Sequence, residues 1–215
     1  MKILVTAGPT REPIDRVRFI SNRSSGRTGY AIADAAVERN HGVRIVSGPV
    51  DISTASEIEV IGVETAAQMR DRVLEQVSWF DCLIMCAAVS DFQPLQTGIA
   101  KLKRTSSNIM LEMTPTADIL SEISTMVRPN QVLIGFALEP GDRMMENACK
   151  KLSEKGLDMI VANSFDTIGT HTIQGAFLFR DQSVEPFDRM NKAEFSGRII
   201  RRAEDLFSRQ SGPED

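Results

Sequence analysis

Short apolar runs alternate with helical patterns along most of this chain, and this alternation limits the fold more than any other feature of the sequence. The apolar runs are Ile3–Val5, Val43–Val46, Cys82–Cys86, Val132–Phe136 and Met159–Val161, and the helical patterns cover 26–39, 65–77, 117–126, 143–155 and 192–208. Strands separated by helices form parallel sheets, and strands that are apolar along their whole length are covered by helices on both faces. The sequence therefore predicts an α/β fold with a Rossmann-like, doubly wound, mainly parallel sheet, whose ligands bind beyond the carboxyl ends of the strands.

Two stretches depart from this pattern. Residues 90–108 are polar, with Gly, Gln and Ser, and predict a flap. In the C-terminal third, Ala176–Phe179 and Ser183–Glu185 have the pattern of two short strands around a polar turn, which predicts a small antiparallel appendage. A chain of 215 residues with 42% hydrophobic residues can bury the core of one domain, which is expected at 1–208. A disordered polar tail is expected at 209–215.

Charge and composition exclude several classes of partner. The 25 basic residues are outnumbered by 29 acidic ones and form no lysine-rich block, which argues against nucleic acid as the main partner. No stretch approaches the roughly 18 apolar residues of a membrane span, and no basic and apolar leader precedes the first strand, so we expect no membrane partner and a cytoplasmic location. Cys82 and Cys86 lie on one strand face, where they cannot pair with each other, which is typical of core thiols in a reducing compartment.

The segment Ser21–Gly29 carries small hydroxyls, an amide and glycines directly before the first helical pattern. A helix start exposes unpaired N–H groups and the positive end of the helix dipole, so this segment predicts an anion site. An ordinary helix cap uses the same residue types and stays open as an alternative.

The connection after the first strand lacks the glycines of a standard dinucleotide site. Thr6–Asp15 contains Gly8 but no G-x-G-x-x-G, and no Walker A sequence is present in the chain. A turn is the simplest interpretation of Gly8 by itself. A nicotinamide-dependent oxidoreductase is a rival hypothesis, although Tyr30 has no lysine four residues on to assist proton transfer. A non-catalytic nucleotide-binding module is a third hypothesis.

Small and polar residues follow the third apolar run, at the edge where ligands are expected. Ala87 and Ala88 leave room for a ligand against the backbone, and Asp91 adds a carboxylate, although an Asp at such a place is also a common turn former. Further along, Lys101-Leu102-Lys103-Arg104 lies within the predicted flap, where cations are placed to close over a phosphate. A solvated charged face is the alternative for this run.

Three residues of the second half are further candidates. Phe136 either packs in the core or stacks on a base, and Lys151 and Lys155 share one helix face, where they repel each other unless an anion lies between them. Exposed, solvent-facing lysines are the alternative. His41 and His171 have no cysteine or carboxylate at a metal spacing, so a zinc site built by the protein is not expected.

Taken together, these residues resemble the phosphopantothenate-cysteine ligase family, also called phosphopantothenoylcysteine synthetases. The similarity covers nearly the whole chain and is carried by six motifs, which are Thr6–Asp15, Val17–Gly26, Val46–Val50, Ala87–Asp91, Lys101–Arg104 and Gly156–Asn163. In many bacteria this domain follows a flavin-dependent decarboxylase on one polypeptide. Whether this chain is a free-standing ligase or one half of such a protein stays open.

The resemblance implies a reaction in two steps on the route to coenzyme A. The carboxylate of 4'-phosphopantothenate is first activated by CTP, or by ATP, as an acyl-nucleotide with release of pyrophosphate. The amine of L-cysteine then displaces nucleoside monophosphate. The resemblance also implies Mg²⁺ on the triphosphate, no flavin on this chain, a homodimer, and a decarboxylase domain or partner protein.

Carried over by position, the resemblance assigns catalytic roles to Asn22, which holds the acyl intermediate, and to Lys101, which neutralises the triphosphate. Arg18, one helical turn before Asn22, is expected to reach the substrate phosphate from the neighbouring subunit. The substrate is also expected to contact Ala87, Ala88 and Asp91, and the nucleotide to contact Gly8, Ser24, Ser25, Gly26, Asp91, Lys101, Asp118, Ile119, Phe136, Lys151 and Lys155. The ligands of the metal stay unknown.

Two positions depart from the family pattern. Relatives commonly carry Lys-x-Lys-Lys where this chain has Lys101-Leu102-Lys103-Arg104, which retains the charge but changes its geometry. Relatives also tend to have Asn-Pro-Asp-Ile in place of Thr116-Ala117-Asp118-Ile119. The nucleotide contacts there, and with them the preference for CTP, are open.

Overall fold

The computed structural model describes residues 1–55, 57–98, 108–139, 143–164, 166 and 169–210. In chain order the strands are Lys2–Ala7 (β1), Arg11–Pro13 (β2), Phe19–Ser21 (β3), Gly42–Ser47 (β4), Glu59–Gly62 (β5), Cys82–Met85 (β6), Phe92–Pro94 (β7), Met113–Pro115 (β8), Val132–Glu139 (β9), Met159–Ser164 (β10), Thr172–Phe179 (β11) and Val184–Asn191 (β12). The helices are Arg27–Glu38 (α1), Ala66–Glu75 (α2), Ile119–Ser124 (α3), Met144–Glu154 (α4) and Lys192–Gln210 (α5).

Eight of these strands form one sheet in the order β12-β11-β10-β9-β6-β1-β4-β5. The six strands from β10 to β5 are parallel. β11 runs antiparallel to β10, and β12 runs antiparallel to β11 and therefore in the same direction as the six. The chain leaves β1 toward β4 and β5 on one side and then returns to β6 on the other side, so the winding direction reverses between β1 and β6. This confirms the predicted doubly wound, mainly parallel sheet, and it locates the expected ligand crevice at the carboxyl ends of β1 and β6.

Apolar side chains on both faces of the sheet explain the nearly continuous hydrophobicity of the strands. On β1, Ile3 and Val5 are fully buried on one face against α1 and α5, and Leu4 is fully buried on the other. The core of that other face also contains residues of α2, α3 and α4. The molecule is therefore a three-layer α/β/α sandwich, whose two cores lie above and below the central strands.

The predicted antiparallel pair in the C-terminal third is present, and its strands are longer than expected. β11 hydrogen-bonds to β10, so the pair continues the main sheet at one edge. Between the strands, Gln182 has a φ of 67° and the Asp181 carboxylate accepts a hydrogen bond from the Ser183 N–H at 2.9 Å. Phe177 packs on Phe187 with ring centroids 4.9 Å apart, which anchors the pair in the core under α5.

Two short hairpins were not expected from the sequence. β2 pairs with β3 in the connection between β1 and α1, and β7 pairs with β8 across the predicted flap. Each of these strands has three residues, and Pro13 and Pro94 lie within them, so no alternating pattern marks them. Residues 92–94 of the flap are therefore a β-ribbon, whereas residues 99–107, including Lys101, Lys103 and Arg104, lie outside the described residues.

The helix ends differ by a few residues from the predicted ones. α3 covers only 119–124 because Asp118 caps it and Thr125 ends it, and α5 continues to Gln210, so 209 and 210 are helical where a tail was expected. Residues 211–215 lie outside the described residues. In the described part of the chain, no helix is both long enough and apolar enough to cross a membrane.

Candidate functional site

Two cavities open at the carboxyl ends of the central strands and share one wall. The Lys151 cavity has a volume of about 400 Å³ and the Asn22 cavity about 580 Å³. Both are lined by Ala87, Ala88, Asp91 and Phe136. The Lys151 cavity is further lined by residues of the 116–120 segment and by Lys151 and Lys155, and the Asn22 cavity by residues 22–29, Cys86, Leu138, Asn163, Gly169, Ile173 and Lys192. The reversal of winding next to β1 leaves this crevice open, as predicted.

Hydrogen bonds fix the shared wall, Ala87–Ala88, directly after β6. The Ala88 N–H donates to the Gly8 carbonyl at 2.9 Å, and the Thr10 N–H donates back to the Ala88 carbonyl at 3.2 Å. The Ala87 N–H donates to the Thr6 hydroxyl at 3.1 Å. Because the alanine side chains are small, a ligand on either side of this wall has room to approach the backbone.

Asn22 fastens the β2–β3 hairpin to the shared wall. Its side-chain nitrogen donates to the Ala88 carbonyl at 3.0 Å and to the Val89 carbonyl at 3.2 Å. Both amide hydrogens are therefore directed at the wall, and among the described residues the amide oxygen has no hydrogen-bond partner. The oxygen, an acceptor, is thus the atom left for a ligand, whereas the sequence-based prediction used the amide as a donor.

The start of α1 lies in the Asn22 cavity and lacks a side-chain cap. Ser24, Ser25 and Gly26 line the cavity, and Gly26 is the N-cap residue with a φ of 74°. Among the described residues, the Ser24 hydroxyl accepts from the Gly26 N–H alone, at 3.3 Å, and this N–H lies before the first helical turn. The alternative of an ordinary side-chain cap is therefore wrong for this helix, and its first N–H groups stay available to an anion.

Gly8 lies behind this wall and lines neither cavity. Its φ is 74°, and a Cβ atom added to it would lie 2.8 Å from a methyl group of Val50. A Cβ atom on Gly26 would meet the same methyl group at 2.7 Å. Gly8 therefore allows the β1–β2 and β4–β5 connections to pack closely, and a contact of Gly8 with nucleotide stays a prediction.

In the Lys151 cavity, Lys155 is paired with Asp118. The Lys155 ammonium lies 2.9 Å from one carboxylate oxygen of Asp118, and the same carboxylate caps α3 by accepting from the Ser121 N–H at 3.2 Å. Partial burial raises the pKa of Asp118, but the hydrogen bonds from Lys155 and Ser121 outweigh it and hold the pKa below its ordinary value. Next to Asp118, Ile119 is buried in the core and lines the cavity with Lys151.

Phe136 packs in the core as one sequence-based interpretation expected, and its stacking on a base stays a prediction. It is half-buried and packs against Phe195, with ring centroids 6.2 Å apart and planes at 72°, and it also lines both cavities. An edge-to-face contact of this kind fixes the ring and leaves part of its surface for a ligand.

Arg18 does not line either cavity of its own chain. Its guanidinium forms an ion pair with Asp15 at 2.8 Å, at the exposed end of the β2–β3 hairpin. Because Phe19–Ser21 is a strand, Arg18 and Asn22 stand at its two ends, and the expected separation of one helical turn is wrong. The exposed apolar side chains Val17 and Phe19 flank Arg18.

Comparison with known proteins identifies the family. A family model described as the DNA/pantothenate metabolism flavoprotein C-terminal domain matches residues 1–206. The chain belongs to this family. The coenzyme A biosynthesis bifunctional protein CoaBC of Bacillus subtilis is 39% identical over 215 residues, which cover 98% of this chain and 52% of that protein. The crystal structure of the C-terminal domain of a CoaBC protein has a TM-score of 0.82 at 35% identity and covers 97% of this chain and 96% of that chain.

A cysteine/cysteine sulfinic acid decarboxylase from an unknown prokaryotic organism is 42% identical over 206 residues, which cover 94% of this chain and 57% of that protein. The chain thus spans about half the length of the curated relatives it matches. The similarity to the CoaBC C-terminal domain agrees with the family that the sequence motifs predicted.

Several polar residues of this CoaBC-type domain were missed at the sequence level. Those that line the Asn22 cavity are Arg23, Arg27, Thr28, Asn163 and Lys192. For Arg27 and Lys192 a signal existed, because each is the first residue of a helix, where the dipole disfavours a cation. Asn163 lies near the end of β10, and its residue type alone carried no such signal.

The described residues contain no group of three His, Cys, Asp or Glu side chains able to hold a metal ion by themselves. Mg²⁺ does not require such a cage, because it usually keeps several waters and binds through one or two carboxylates and the phosphates of a substrate. Asp91 is exposed and lines both cavities, so its carboxylate fits this role.

Proposed function

We propose that this domain joins 4'-phosphopantothenate to L-cysteine through an acyl-nucleotide intermediate. One observation carries the proposal: two cavities large enough for a nucleotide and for an acid substrate meet at a single wall of small residues. The relatives named coenzyme A biosynthesis bifunctional protein support the same reaction class.

The chemistry requires two ligands that touch at one point. A carboxylate oxygen of the acid attacks the α-phosphorus of the nucleotide, the bond to the β-phosphate oxygen breaks, and pyrophosphate leaves. The amine of cysteine then attacks the acyl carbon, the acyl C–O bond breaks, nucleoside monophosphate leaves and the amine loses a proton. Activation divides one difficult displacement into two easier ones, and the protein contributes positioning and neutralisation of charge.

We assign the nucleotide base and sugar to the Lys151 cavity and the acyl group to the Asn22 cavity. Phe136, Lys151 and Lys155 face the first ligand, and Asn22, Ala87 and Ala88 face the second. The hydroxyls of Ser24 and Ser25 and the backbone N–H groups at the start of α1 donate hydrogen bonds to phosphate oxygens. Mg²⁺ neutralises the triphosphate when bound, and Asp91 is the carboxylate placed to hold it.

We propose a homodimer in which Arg18 serves the site of the neighbouring subunit. Arg18 lies between the exposed apolar residues Val17 and Phe19 in the chain, and Phe92 and Leu95 are exposed apolar side chains on and next to β7. The Gly98 N–H donates to the Ile14 carbonyl at 3.0 Å, which brings the two hairpins together. A fully active monomer in light scattering would refute the dimer.

We further propose that a decarboxylase, on the same polypeptide or as a separate protein, acts on the product. Ligation leaves the carboxylate of the cysteine residue free, so the product carries the group that such an enzyme removes. Addition of a purified decarboxylase to the reaction should release CO₂ only after ligation.

The direct test supplies 4'-phosphopantothenate, L-cysteine, Mg²⁺ and either CTP or ATP, and measures pyrophosphate and the amide product. Pyrophosphate and product in equal amounts are expected, and comparison of the two nucleotides decides the preference. Without cysteine, an acyl-nucleotide should accumulate. Release of CO₂ from cysteine without pyrophosphate, the chemistry in the name of the 42% identical relative, would instead contradict the ligase.

A second test addresses Lys101, which the family resemblance makes catalytic. Lys101→Gln removes the charge that neutralises the triphosphate, so acyl-nucleotide formation should stop, roughly 100-fold or more below the wild-type rate. Normal formation of the intermediate in a rapid-quench experiment would contradict this role.

A further inference from the structure

Lys192 is the first residue of α5, and its side chain lines the Asn22 cavity. The side chain is half-buried, and its backbone N–H donates to the His171 carbonyl at 3.1 Å. Within the described residues, the ammonium group makes neither an ion pair nor a hydrogen bond. A partly buried lysine is normally paired, so this position requires an explanation.

Three features of the surroundings disfavour a positive charge there. Burial lowers the pKa of Lys192, and the neighbouring Arg27 charge also lowers it, although Cys86 acts in the opposite direction. Cys86 is no counter-ion at neutral pH, because burial raises the pKa of its thiol to about 12. In addition, the positive end of the α5 dipole lies at Lys192.

The rest of the Asn22 cavity adds to this positive potential. Arg23 and Arg27 line it, and α1 begins there without a side-chain cap. Among the described residues that line this cavity, Asp91 is the one acidic residue. Glu194, in the first turn of α5, is exposed and does not line the cavity. The starts of α1 and α5 and the side chains of Arg23, Arg27 and Lys192 therefore surround the cavity. Among the described residues, a single carboxylate lines it.

We propose that Lys192, together with Arg27, binds a phosphate group of the ligand in the Asn22 cavity. The described residues give the lysine no counter-ion, and the phosphate supplies the missing negative charge. This assignment deepens the proposed function, because the phosphate is either the 4'-phosphate of the acid substrate or part of the nucleotide triphosphate. In both cases the recognised chemistry is a phosphate dianion.

The test compares wild type with Lys192→Met, which keeps the length of the side chain and removes its charge. Lys2→Met is the matched control, because Lys2 is exposed at the opposite, amino-terminal edge of the sheet. Calorimetric titration measures binding of inorganic pyrophosphate, CTP, 4'-phosphopantothenate and pantothenate to each protein. Lys192→Met should lower the affinity for the recognised phosphate ligand roughly 10- to 100-fold, with pantothenate unaffected.

The two sources of phosphate give different results. A loss confined to 4'-phosphopantothenate assigns Lys192 to the acid substrate, whereas a loss for CTP and pyrophosphate assigns it to the triphosphate. Without ligand, the melting temperature of Lys192→Met should rise by about 2–4 °C, because a desolvated charge at a helix start is removed. This rise also shows that the variant is folded.

Unchanged affinity of Lys192→Met for all phosphate ligands would overturn the proposal, and so would an equal loss in Lys2→Met or a wild-type protein that binds none of them. The outcome is separable from the ligase activity. If no nucleotide yields pyrophosphate but phosphate affinity still depends on Lys192, the proposed function fails and the phosphate site stands.

Discussion

The two cavities on either side of the Ala87–Ala88 wall handle charge differently. In the Lys151 cavity, Lys155 already has a partner at 2.9 Å, the carboxylate of Asp118. In the Asn22 cavity, Lys192 has no such partner among the described residues, and the neighbouring Cys86 is a neutral thiol. One cavity therefore presents a balanced surface beside an aromatic ring, and the other presents excess positive charge.

Under the proposed function, this difference predicts which part of a ligand each cavity binds. A paired lysine is held in place and attracts an anion weakly, so the Lys151 cavity suits the less charged base and sugar next to Phe136. An unpaired lysine gains the most interaction energy when it binds a dianion, so the Asn22 cavity suits a phosphate group. The comparison can be tested by changing the wall, the shared ring and the ion pair.

The largest effect is expected at the wall. Asn22→Asp cannot donate to the Ala88 and Val89 carbonyls and places negative charge beside them and beside the anionic intermediate. Turnover should fall roughly 100- to 1,000-fold, while binding of the acid substrate in the Asn22 cavity persists. Steady-state kinetics and calorimetric titration measure the two quantities. Wild-type turnover would remove Asn22 from the mechanism.

Asn130→Asp is the matched control for this variant. Asn130 is exposed in the turn before β9, at the opposite edge of the sheet, so the same change of charge should leave turnover unaltered.

A smaller effect is expected from the ring that both cavities share. Phe136→Leu keeps an apolar side chain but loses the edge-to-face contact with Phe195 at 6.2 Å. We expect the KM values for nucleotide and for acid to rise together, each roughly 3- to 10-fold, with a loss of about 1 kcal/mol in the free energy of unfolding. A change in only one KM would show that the wall is not shared in function.

Phe179→Leu separates the two effects of that change. Phe179 packs on the same core at the far end of β11, so its replacement should lower stability without altering either KM.

The smallest effect concerns the Lys155–Asp118 pair. In the folded protein the pKa of Asp118 lies below its ordinary value of 3.8, so the ionised carboxylate is favoured by folding. The stabilisation is therefore present above pH 3.8 and is lost as the pH falls through the folded pKa. Lys155→Met should raise the pKa of Asp118 and lower stability at pH 7 by less than about 1 kcal/mol, because the pair is partly exposed.

An NMR titration of the Asp118 carboxyl and unfolding curves at several pH values measure this change. The stability difference from wild type should shrink below pH 3.8. Lys150→Met is the control, because Lys150 is exposed and lies 3.8 Å from Glu154, away from Asp118. An unchanged pKa of Asp118 in Lys155→Met would contradict the assigned cause.

The sequence by itself determined the parallel sheet, the position of the crevice and most of its lining. The local hydrophobic periodicity of Ile3–Val5 and of the next segment predicts a strand and then a helix. The position of the crevice follows because doubly wound sheets bind ligands at the carboxyl ends of their strands. The three-residue strands β2, β3, β7 and β8 were not predictable, because they are too short to show alternation, and β7 and β8 are also separated by a long connection.

Only the tertiary structure decided which charges are paired. Asn22 and Ala88 are 66 residues apart, and Lys155 and Asp118 are 37 apart. Lys192 reaches a cavity whose other walls come from residues 22–29, from the segment directly after β6 and from residues between 136 and 173. Such neighbours follow from strand register and helix packing, which sum many weak contacts, whereas sequence patterns report only the local period. Lys155, which has an ion-pair partner, and Lys192, which has none among the described residues, therefore look alike in the sequence and differ only in the fold.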